Sequence, residues 1–222
     1  MTEDQERETA RVRAIFDRLA RSYDLAMGLA EWPLLGRRAR RRVARRARGA
    51  TVELACGTGL NLRHYPREVD LVGLELSPAM LARANARTRA LPPGRGPERV
   101  ALAEGDAAQP ALPDHRFDSA VVTLAFCTFP DPDRVASELR RLLRPGASLE
   151  GLEHVRSPSP WVAWVQDRLT PMAVRRGADW LNRDTLALLR RHGFAVTVHH
   201  RRWWGTVVEY SARTPAPPAE DG

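Results

Sequence analysis

A glycine-containing turn near residue 57 is the first part of the sequence that could do chemistry. Glu53–Gly59 reads Glu-Leu-Ala-Cys-Gly-Thr-Gly, and its glycines permit a sharp turn with the backbone close to a ligand. Sixteen residues after Gly59, an apolar stretch ends in Glu75. A carboxylate at that place suits the two hydroxyls of a ribose. The pair indicates a site for a cofactor that contains adenosine.

Two more positions narrow the choice of cofactor. A dinucleotide fingerprint would place a third glycine at position 62, where a helix begins against a pyrophosphate, but the sequence has Leu62. A second acid, Asp106, follows a later apolar stretch, where a carboxylate can accept a hydrogen bond from the adenine amine. We therefore expect S-adenosylmethionine, and not NAD, as the cofactor. No cluster has metal-ligand spacing, so no metal is expected.

Alternating strands and helices must position these groups. The chain shows no internal repeat, and the alternation predicts an α/β fold with a largely parallel sheet. Strands are predicted at Thr51–Ala55, Leu71–Glu75, Arg99–Glu104, Phe117–Leu124, Ala147–His154, Phe194–His200 and Thr206–Ser211, the last two paired. Helices are predicted at Leu60–Tyr65, from Ser77 to about Ala90, at Asp133–Leu143 and at Asn182–His192.

The N-terminal region has a different pattern. Residues 3–20 carry an apolar stripe at helical spacing, and a break follows at Ser22–Asp24. A second amphipathic helix, with Leu35, Ala39, Val43 and Ala47 on its apolar face, precedes Gly49. We expect residues 1–48 to form a helical cap that acts as a mobile lid. The core is expected at 49–213, with an irregular, Trp-rich insertion at 157–181, and residues 214–222 should be disordered.

Residues 51–154 resemble the core of class I S-adenosylmethionine-dependent methyltransferases. The resemblance rests on Glu53–Gly59, Val72–Glu75 with Ser77–Leu81, Glu104–Ala107, Phe117–Leu124 and Leu142–Gly146. It implies a Rossmann-like, seven-stranded, mostly parallel sheet with a reversed last strand and helices on both faces. It also implies that Leu76 packs on the adenine. The cofactor contacts it implies are Glu53, Ala55, Gly57, Thr58, Gly59, Glu75, Asp106, Ala107 and Leu124.

The two ends of the chain resemble narrower groups within this class. The N-terminal Val12–Asp17 with Tyr23 is similar to the ubiquinone and menaquinone methyltransferases, which implies that Tyr23 lies near the cofactor. The C-terminal third lacks the closing pattern of those enzymes. Its Leu152–Val155, Leu181–Asp184 and Arg191–Phe194 look more like small thiol methyltransferases, and loosely like bacterial phospholipid N-methyltransferases.

The expected acceptor is a small, largely apolar molecule, with thiol S-methylation as the leading reading. Amine or phospholipid N-methylation, quinone or phenol methylation, and a non-catalytic module that binds the cofactor stay open. His154 ends a strand at the edge where ligands bind, so it is either a general base or a structural histidine. Aromatic side chains would line an apolar pocket. The predicted pocket residues are Cys127, Trp161, Trp164, Trp180 and Trp203.

Charge argues against nucleic acid as a partner. The net charge of the 222 residues is +8, and Arg37–Arg48 alone carries eight arginines and no acid. We read this run as a solvated helix face and expect at most peripheral contact with a membrane. No apolar stretch reaches 18 residues, the N-terminus is acidic, and there are two cysteines, so a cytoplasmic location is expected. The oligomeric state stays open.

Overall fold

A seven-stranded sheet organises the protein, as the sequence predicts. The computed structural model describes residues 2–30 and 38–216. The strand order is β3-β2-β1-β4-β5-β7-β6, and β7 alone in this sheet runs antiparallel to both of its neighbours. The strands are β1 (Ala50–Leu54), β2 (Asp70–Glu75), β3 (Arg99–Glu104), β4 (Phe117–Thr123), β5 (Leu143–His154), β6 (Ala195–Arg202) and β7 (Val207–Arg213).

The register of the parallel strands brings the predicted site residues to one edge. Leu54 at the end of β1 lies beside Leu74, one residue before Glu75, while Thr123 at the end of β4 lies beside Leu152. β5 continues to His154. Because the carboxyl ends of parallel strands share an edge, the residues that follow them can form one crevice.

Helices cover both faces of the sheet. Ala120 and Val122 of β4 pack in one core with α4 and α6, and the intervening Val121 packs in a second core with α2. Residues that alternate along a strand point to opposite faces, so two layers of helix are required. The helices are α1 (Glu3–Ala30), α2 (Ala39–Ala44), α3 (Pro78–Arg89), α4 (Pro132–Leu142), α5 (Pro160–Gly177) and α6 (Thr185–Arg191), with a 3₁₀ turn at Leu62–His64.

The predicted break at Ser22–Asp24 is wrong, because α1 is one helix of 28 residues. A polar Ser-Tyr-Asp sequence favours a break when its side chains bond to the local backbone. Here the Asp24 carboxylate instead accepts hydrogen bonds from Thr58 and Arg87, which lie elsewhere in the fold. Of the second predicted helix, residues 39–44 are helical, and Leu35 lies outside the described residues.

The expectation of an irregular segment at 157–181 is also wrong, since α5 occupies most of it. Its buried residues Ala163, Gln166 and Thr170 lie at helical spacing, but two of the three are polar. The Gln166 side-chain amide donates hydrogen bonds to the backbone carbonyls of Val155 and Leu181, at 2.9 and 2.7 Å. A search for apolar periodicity therefore missed this helix.

The arginine run is not simply a solvated face. Arg40 is buried, and its guanidinium donates to the Thr123 hydroxyl at 3.0 Å. Arg42 forms a two-pronged ion pair with the buried Glu209 of β7. The exposed members of the described part include Arg38, Arg41 and Arg45, while Arg37 lies outside it.

The start of the predicted disordered tail is ordered. The Thr214 backbone N–H donates to the Ala147 carbonyl at 3.0 Å, and the Thr214 side chain is buried. The Pro215 carbonyl accepts from Gly146. These bonds extend the pairing of β7 with β5, so the ordered chain reaches at least residue 216. Residues 217–222 lie outside the described part.

Candidate active site

A narrow cavity lies at the carboxyl edge of the sheet, beside the ends of β1, β2 and β4. It is called the cofactor cavity below, after the residues predicted to bind a cofactor. Eight of the predicted cofactor residues line it: Tyr23, Ala55, Gly57, Glu75, Leu76, Asp106, Ala107 and Leu124. Met80 of α3 adds an apolar wall. The predicted contacts Glu53, Thr58 and Gly59 do not line this cavity. They instead contact Asn61, Asp24 and Leu62, respectively, around the turn that borders the cavity.

Glu75 ties together the two loops that border the cavity. Its Oε2 accepts from the Gly57 N–H at 2.8 Å, and its Oε1 accepts from the Ser77 N–H at 2.9 Å. Burial raises the pKa of Glu75, and these backbone hydrogen bonds oppose that effect. Each carboxylate oxygen has a second lone pair, so a ribose hydroxyl could still donate to it.

The two glycines of the turn serve different purposes. Gly57 has a φ of +58°, and a Cβ placed there would meet no atom within 4 Å. Gly59 has a φ of +77°, and its Cβ would come within 2.6 Å of Leu62 and 3.3 Å of Ala84. Gly57 thus leaves open space beside the cavity, whereas Gly59 lets the turn pack closely on α3.

Two residues that are not glycine also adopt left-handed backbone conformations at this edge. Ala55 and Leu124 have φ values of 56° and 55° as the chain leaves β1 and β4. Each such residue costs of the order of 1–3 kcal/mol and persists only where its surroundings enforce it. The Leu124 N–H is held by the Leu152 carbonyl at 2.7 Å. Their side-chain types gave no signal of this turn.

Glu53 belongs to a buried polar network behind the cofactor turn. Its Oε1 accepts from Asn61 Nδ2 at 2.7 Å, and the same amide nitrogen reaches the Thr123 hydroxyl at 3.0 Å. Arg40 closes the network from α2. Burial raises the pKa of Glu53 to about 7, while Asn61, Tyr65 and Arg40 act in the opposite direction. Sequence reasoning missed Arg40 because it lies within a run of arginines.

Helix α1 covers the cofactor cavity. Val12, Phe16 and Tyr23 line it, and two aspartates fasten the helix to the core. Asp17 accepts from the Ser77 hydroxyl at 2.5 Å and from the Ala79 N–H at 3.2 Å. The Thr58 hydroxyl donates to Asp24 at 2.5 Å. With α1 in this position, the cavity holds about 70 Å³, below the roughly 300–1,000 Å³ of typical ligand pockets.

A second, larger cavity of about 550 Å³ adjoins the first. Both are lined by Phe16, Tyr23, Leu124 and Thr128. The walls of the larger cavity are mainly apolar and come from α1, α5 and the turn between β6 and β7. They include Leu19, Met27, Val162, Trp203 and Trp204, and its polar members include His154, Asp179 and Thr206.

The structure separates the predicted pocket residues. Cys127 and Trp203 line the larger cavity, together with Trp204. Trp161 and Trp164 stack on each other at 5.0 Å on an exposed part of α5 and line neither cavity. Trp180 packs beside Val12 and Ile15, with the Arg183 guanidinium 4.3 Å from its ring.

His154 lies in the wall of the larger cavity beside Asp179, a residue that sequence reasoning missed. Desolvation lowers the pKa of His154, and the charge of Asp179 acts in the opposite direction. Desolvation raises the pKa of Asp179. Nothing in the residue types around position 179 marked it, because its role depends on how α5 ends.

Within residues 2–30 and 38–216, no group of three or more His, Cys, Asp or Glu side chains is arranged to hold a metal ion. In the same ranges, no helix combines the length and hydrophobicity needed to cross a membrane.

The sheet order, the glycine turn and the two acids define the Rossmann-like fold and cofactor cleft of a class I methyltransferase. A family model described as a methyltransferase domain matches residues 52–150. A phosphatidylethanolamine N-methyltransferase from Cereibacter sphaeroides is 35% identical over 146 residues, which are 64% of this chain and 68% of that protein. The chain therefore belongs to the S-adenosylmethionine-dependent methyltransferases.

The chain is also similar to a second relative and to a solved structure. A human thiol S-methyltransferase is 37% identical over 126 residues, which are 55% of this chain and 50% of that protein. The chain thus spans about half the length of that relative. An S-adenosylmethionine-dependent methyltransferase from Thermotoga maritima shares the fold, with a TM-score of 0.67 and 20% identity over 91% of this chain and 99% of its own.

Proposed function

We propose that the protein transfers a methyl group from S-adenosylmethionine to the sulfur of a small, largely apolar thiol. The observation that carries the proposal is the junction of the two cavities, which share Phe16, Tyr23, Leu124 and Thr128. A cofactor held at Glu75 and Asp106 would present its methyl group at this junction. The apolar walls of the larger cavity suit the body of such an acceptor.

The lining of the cofactor cavity suits the proposed group, and the cavity of about 70 Å³ must widen, by a movement of α1, before the group fits. Glu75 and Asp106 offer carboxylate oxygens, Gly57 leaves room for close approach, and Leu76 and Met80 provide apolar surface for a base. When bound, S-adenosylmethionine supplies a methyl group already activated by a sulfonium. We propose Glu53, Thr58 and Gly59 as residues that support the turn from behind, and not as direct contacts.

The main task of the chain is then to align the acceptor and exclude water. Alignment of two reactants can supply about 7–11 kcal/mol of the barrier. Helix α1 roofs both cavities through Phe16 and Tyr23 and would keep water out. A thiol needs little further help, because with a pKa near 8.5 a few per cent is thiolate at neutral pH. His154 would assist the remaining deprotonation.

A second candidate is N-methylation of an amine on a phospholipid. It is favoured by large apolar side chains that are exposed around the larger cavity, such as Trp204, which lines the cavity and is 72% exposed, and Trp161 on the nearby α5, which is 68% exposed. The Cereibacter relative is named for this activity. Co-sedimentation with phosphatidylethanolamine vesicles, together with methylation of their headgroup, would favour this candidate over a thiol.

As binding partners, we propose a small-molecule acceptor, no nucleic acid and at most peripheral contact with a membrane. Arg40, Arg42 and Arg46 of the basic run face Thr123, Glu209 and Glu150 within the fold, which leaves fewer arginines for phosphate. The free, buried thiols of Cys56 and Cys127 accord with a reducing, cytoplasmic setting.

The proposal is tested by the pH–rate profile of the wild type and His154→Ala on phenylmethanethiol. If a thiolate is the nucleophile, the variant loses activity mainly at low pH and recovers above the pKa of the thiol. A loss of about 10²–10⁴-fold that persists at high pH is expected of an acceptor whose deprotonation the enzyme must enforce. That result, or the absence of thiol turnover in the wild type, would contradict the proposal.

A further inference from the structure

Asp179 is fixed in place by the way α5 ends. The last helical residue is Gly177, and the C-cap that follows it, Ala178, adopts a left-handed conformation with φ 55° and is fully buried. The Trp180 N–H donates to the Cys127 carbonyl at 2.8 Å, which fastens the segment to the loop after β4. Asp179 lies between these two anchors and lines the larger cavity with Cys127 and His154.

The polar groups of this cluster are not fully satisfied within the described chain. Asp179 Oδ1 and His154 Nδ1 are buried atoms with no hydrogen-bond partner among the described residues. The Cys127 thiol lies on the same cavity wall and lowers the pKa of Asp179, against the effect of burial. Leaving a buried polar atom without a partner is costly in free energy. Two such atoms on one cavity wall indicate a site whose polar partner is a ligand.

We propose that Asp179 and His154 act as one proton-accepting pair in the wall of the larger cavity and receive the proton of the acceptor's nucleophilic group. This inference rests on the proposed function and adds Asp179 as the positioning residue for His154. The acceptor class is then a neutral molecule with an ionisable S–H, N–H or O–H group and an apolar body.

The S–H bond of the acceptor breaks, its proton goes to the pair, and its electron pair forms the new bond to the methyl carbon. The bond between that carbon and the sulfonium sulfur breaks, and its electrons stay on that sulfur. Other titratable groups around Asp179 are Cys127, Glu153 and Arg183, and the charge of Arg183 favours the ionised carboxylate.

The first test does not depend on turnover. The proton resonances of His154, assigned by their loss in His154→Ala, are titrated in the wild type and in Asp179→Asn. Loss of the carboxylate should lower the titration midpoint of His154 by roughly one pH unit, because an adjacent anion favours the imidazolium. Asp167→Asn is the matched control, since the exposed Asp167 pairs with Arg156 and Asn182 instead. An unchanged midpoint in Asp179→Asn would overturn the proposal.

The second test uses turnover of phenylmethanethiol with the full chain. Asp179→Asn should lower kcat about ten- to a hundredfold at pH 6.5 and little at pH 9.5, with KM nearly unchanged. Asp179→Glu should restore part of the loss, and Asp179→Ser replaces Asp179→Asn in both tests if the asparagine variant does not fold. An equal loss of kcat at pH 6.5 and pH 9.5 would overturn the proposal that the two residues act as a pair. If the wild type turns over no thiol, the proposed function fails, while the titration still decides whether the pair exists.

Discussion

Asp17 of α1 accepts a hydrogen bond from the hydroxyl of Ser77, with 2.5 Å between Oδ1 and Oγ. Ser77 is also the N-cap of α3 and donates its backbone N–H to Glu75. The helix that roofs the cofactor cavity is therefore fastened to a residue that hydrogen-bonds to Glu75, the predicted ribose ligand. We expect Asp17 to act as a latch that holds α1 closed once the cofactor has entered.

The latch predicts that Asp17→Ala speeds the release of S-adenosylmethionine roughly tenfold, since a hydrogen bond to a charged group contributes about 1.5–3 kcal/mol. Stopped-flow displacement of the cofactor measures this rate. Asp4→Ala is the control, because Asp4 lies exposed in the first turn of the same helix. Deletion of residues 1–24 should leave a folded core with little activity. Full activity in that truncated chain would refute the lid.

Glu75 should decide cofactor affinity. Glu75→Ala removes the carboxylate that is expected to accept the ribose hydroxyls and should weaken S-adenosylmethionine binding by about one to two orders of magnitude. Titration calorimetry measures the affinity, and the wild type should show no heat with NAD because Leu62 takes the place of a third glycine. Since Glu75 also holds Gly57 and Ser77, the thermal midpoint of each variant must be recorded. Unaltered affinity, or NAD binding, would argue against this assignment.

Sequence reasoning reached the fold and most of the cofactor cleft because these depend on local patterns. Apolar strands, capping residues such as Ser77, and glycines in a turn carry their signal within a few positions. The acceptor cavity depends on contacts between distant segments, and there the sequence said less. Gln166 breaks the apolar pattern of α5, because its buried amide is polar and bonds to backbone carbonyls. Asp179 reaches the cavity wall only because Ala178 ends α5 in a left-handed conformation.

Substitutions in the arginine run at 37–48 distinguish arginines that stabilise the fold from arginines that are only exposed on its surface. Arg42→Gln leaves the buried Glu209 without its ion-pair partner and should cost about 1–3 kcal/mol of unfolding free energy, measured by urea denaturation. Arg41→Gln, at the exposed neighbouring position, should change stability little. Tight RNA or DNA binding that is lost in the Arg38, Arg41 and Arg45 glutamine variants and collapses with salt would instead show a nucleic-acid site.

Glu153 should make stability depend on pH. Burial raises its pKa to about 8, against hydrogen bonds from the Ala125 and Phe126 N–H groups. The folded state then holds a proton that the unfolded chain releases near its ordinary pKa of about 4.3. The contribution of Glu153 to the free energy of unfolding is therefore fully present below that pKa. It falls as the pH rises towards 8, by at most about 1.4 kcal/mol per pH unit.

The measurement for Glu153 compares urea denaturation of the wild type and Glu153→Gln at pH 5, 6.5 and 8.5. The variant should lose less stability over this range than the wild type. Some slope should remain, because burial also raises the pKa of Glu53 to about 7. A steeper fall in the variant, or stability that rises with pH in the wild type, would contradict the assignment of a protonated Glu153.

Three acceptors with one apolar body and a different nucleophilic atom test methyl transfer to a thiol held in the larger cavity: phenylmethanethiol, phenylmethanol and phenylmethylamine. Rates of label transfer from methyl-labelled S-adenosylmethionine are measured at neutral pH, with product identity checked by mass spectrometry and heat-denatured protein as the blank. We expect the S-methyl product to form at least about a hundredfold faster than the other two, because a thiolate forms readily near neutral pH and is a stronger nucleophile than the alcohol or the amine. Turnover of the amine or the alcohol without turnover of the thiol would contradict the account.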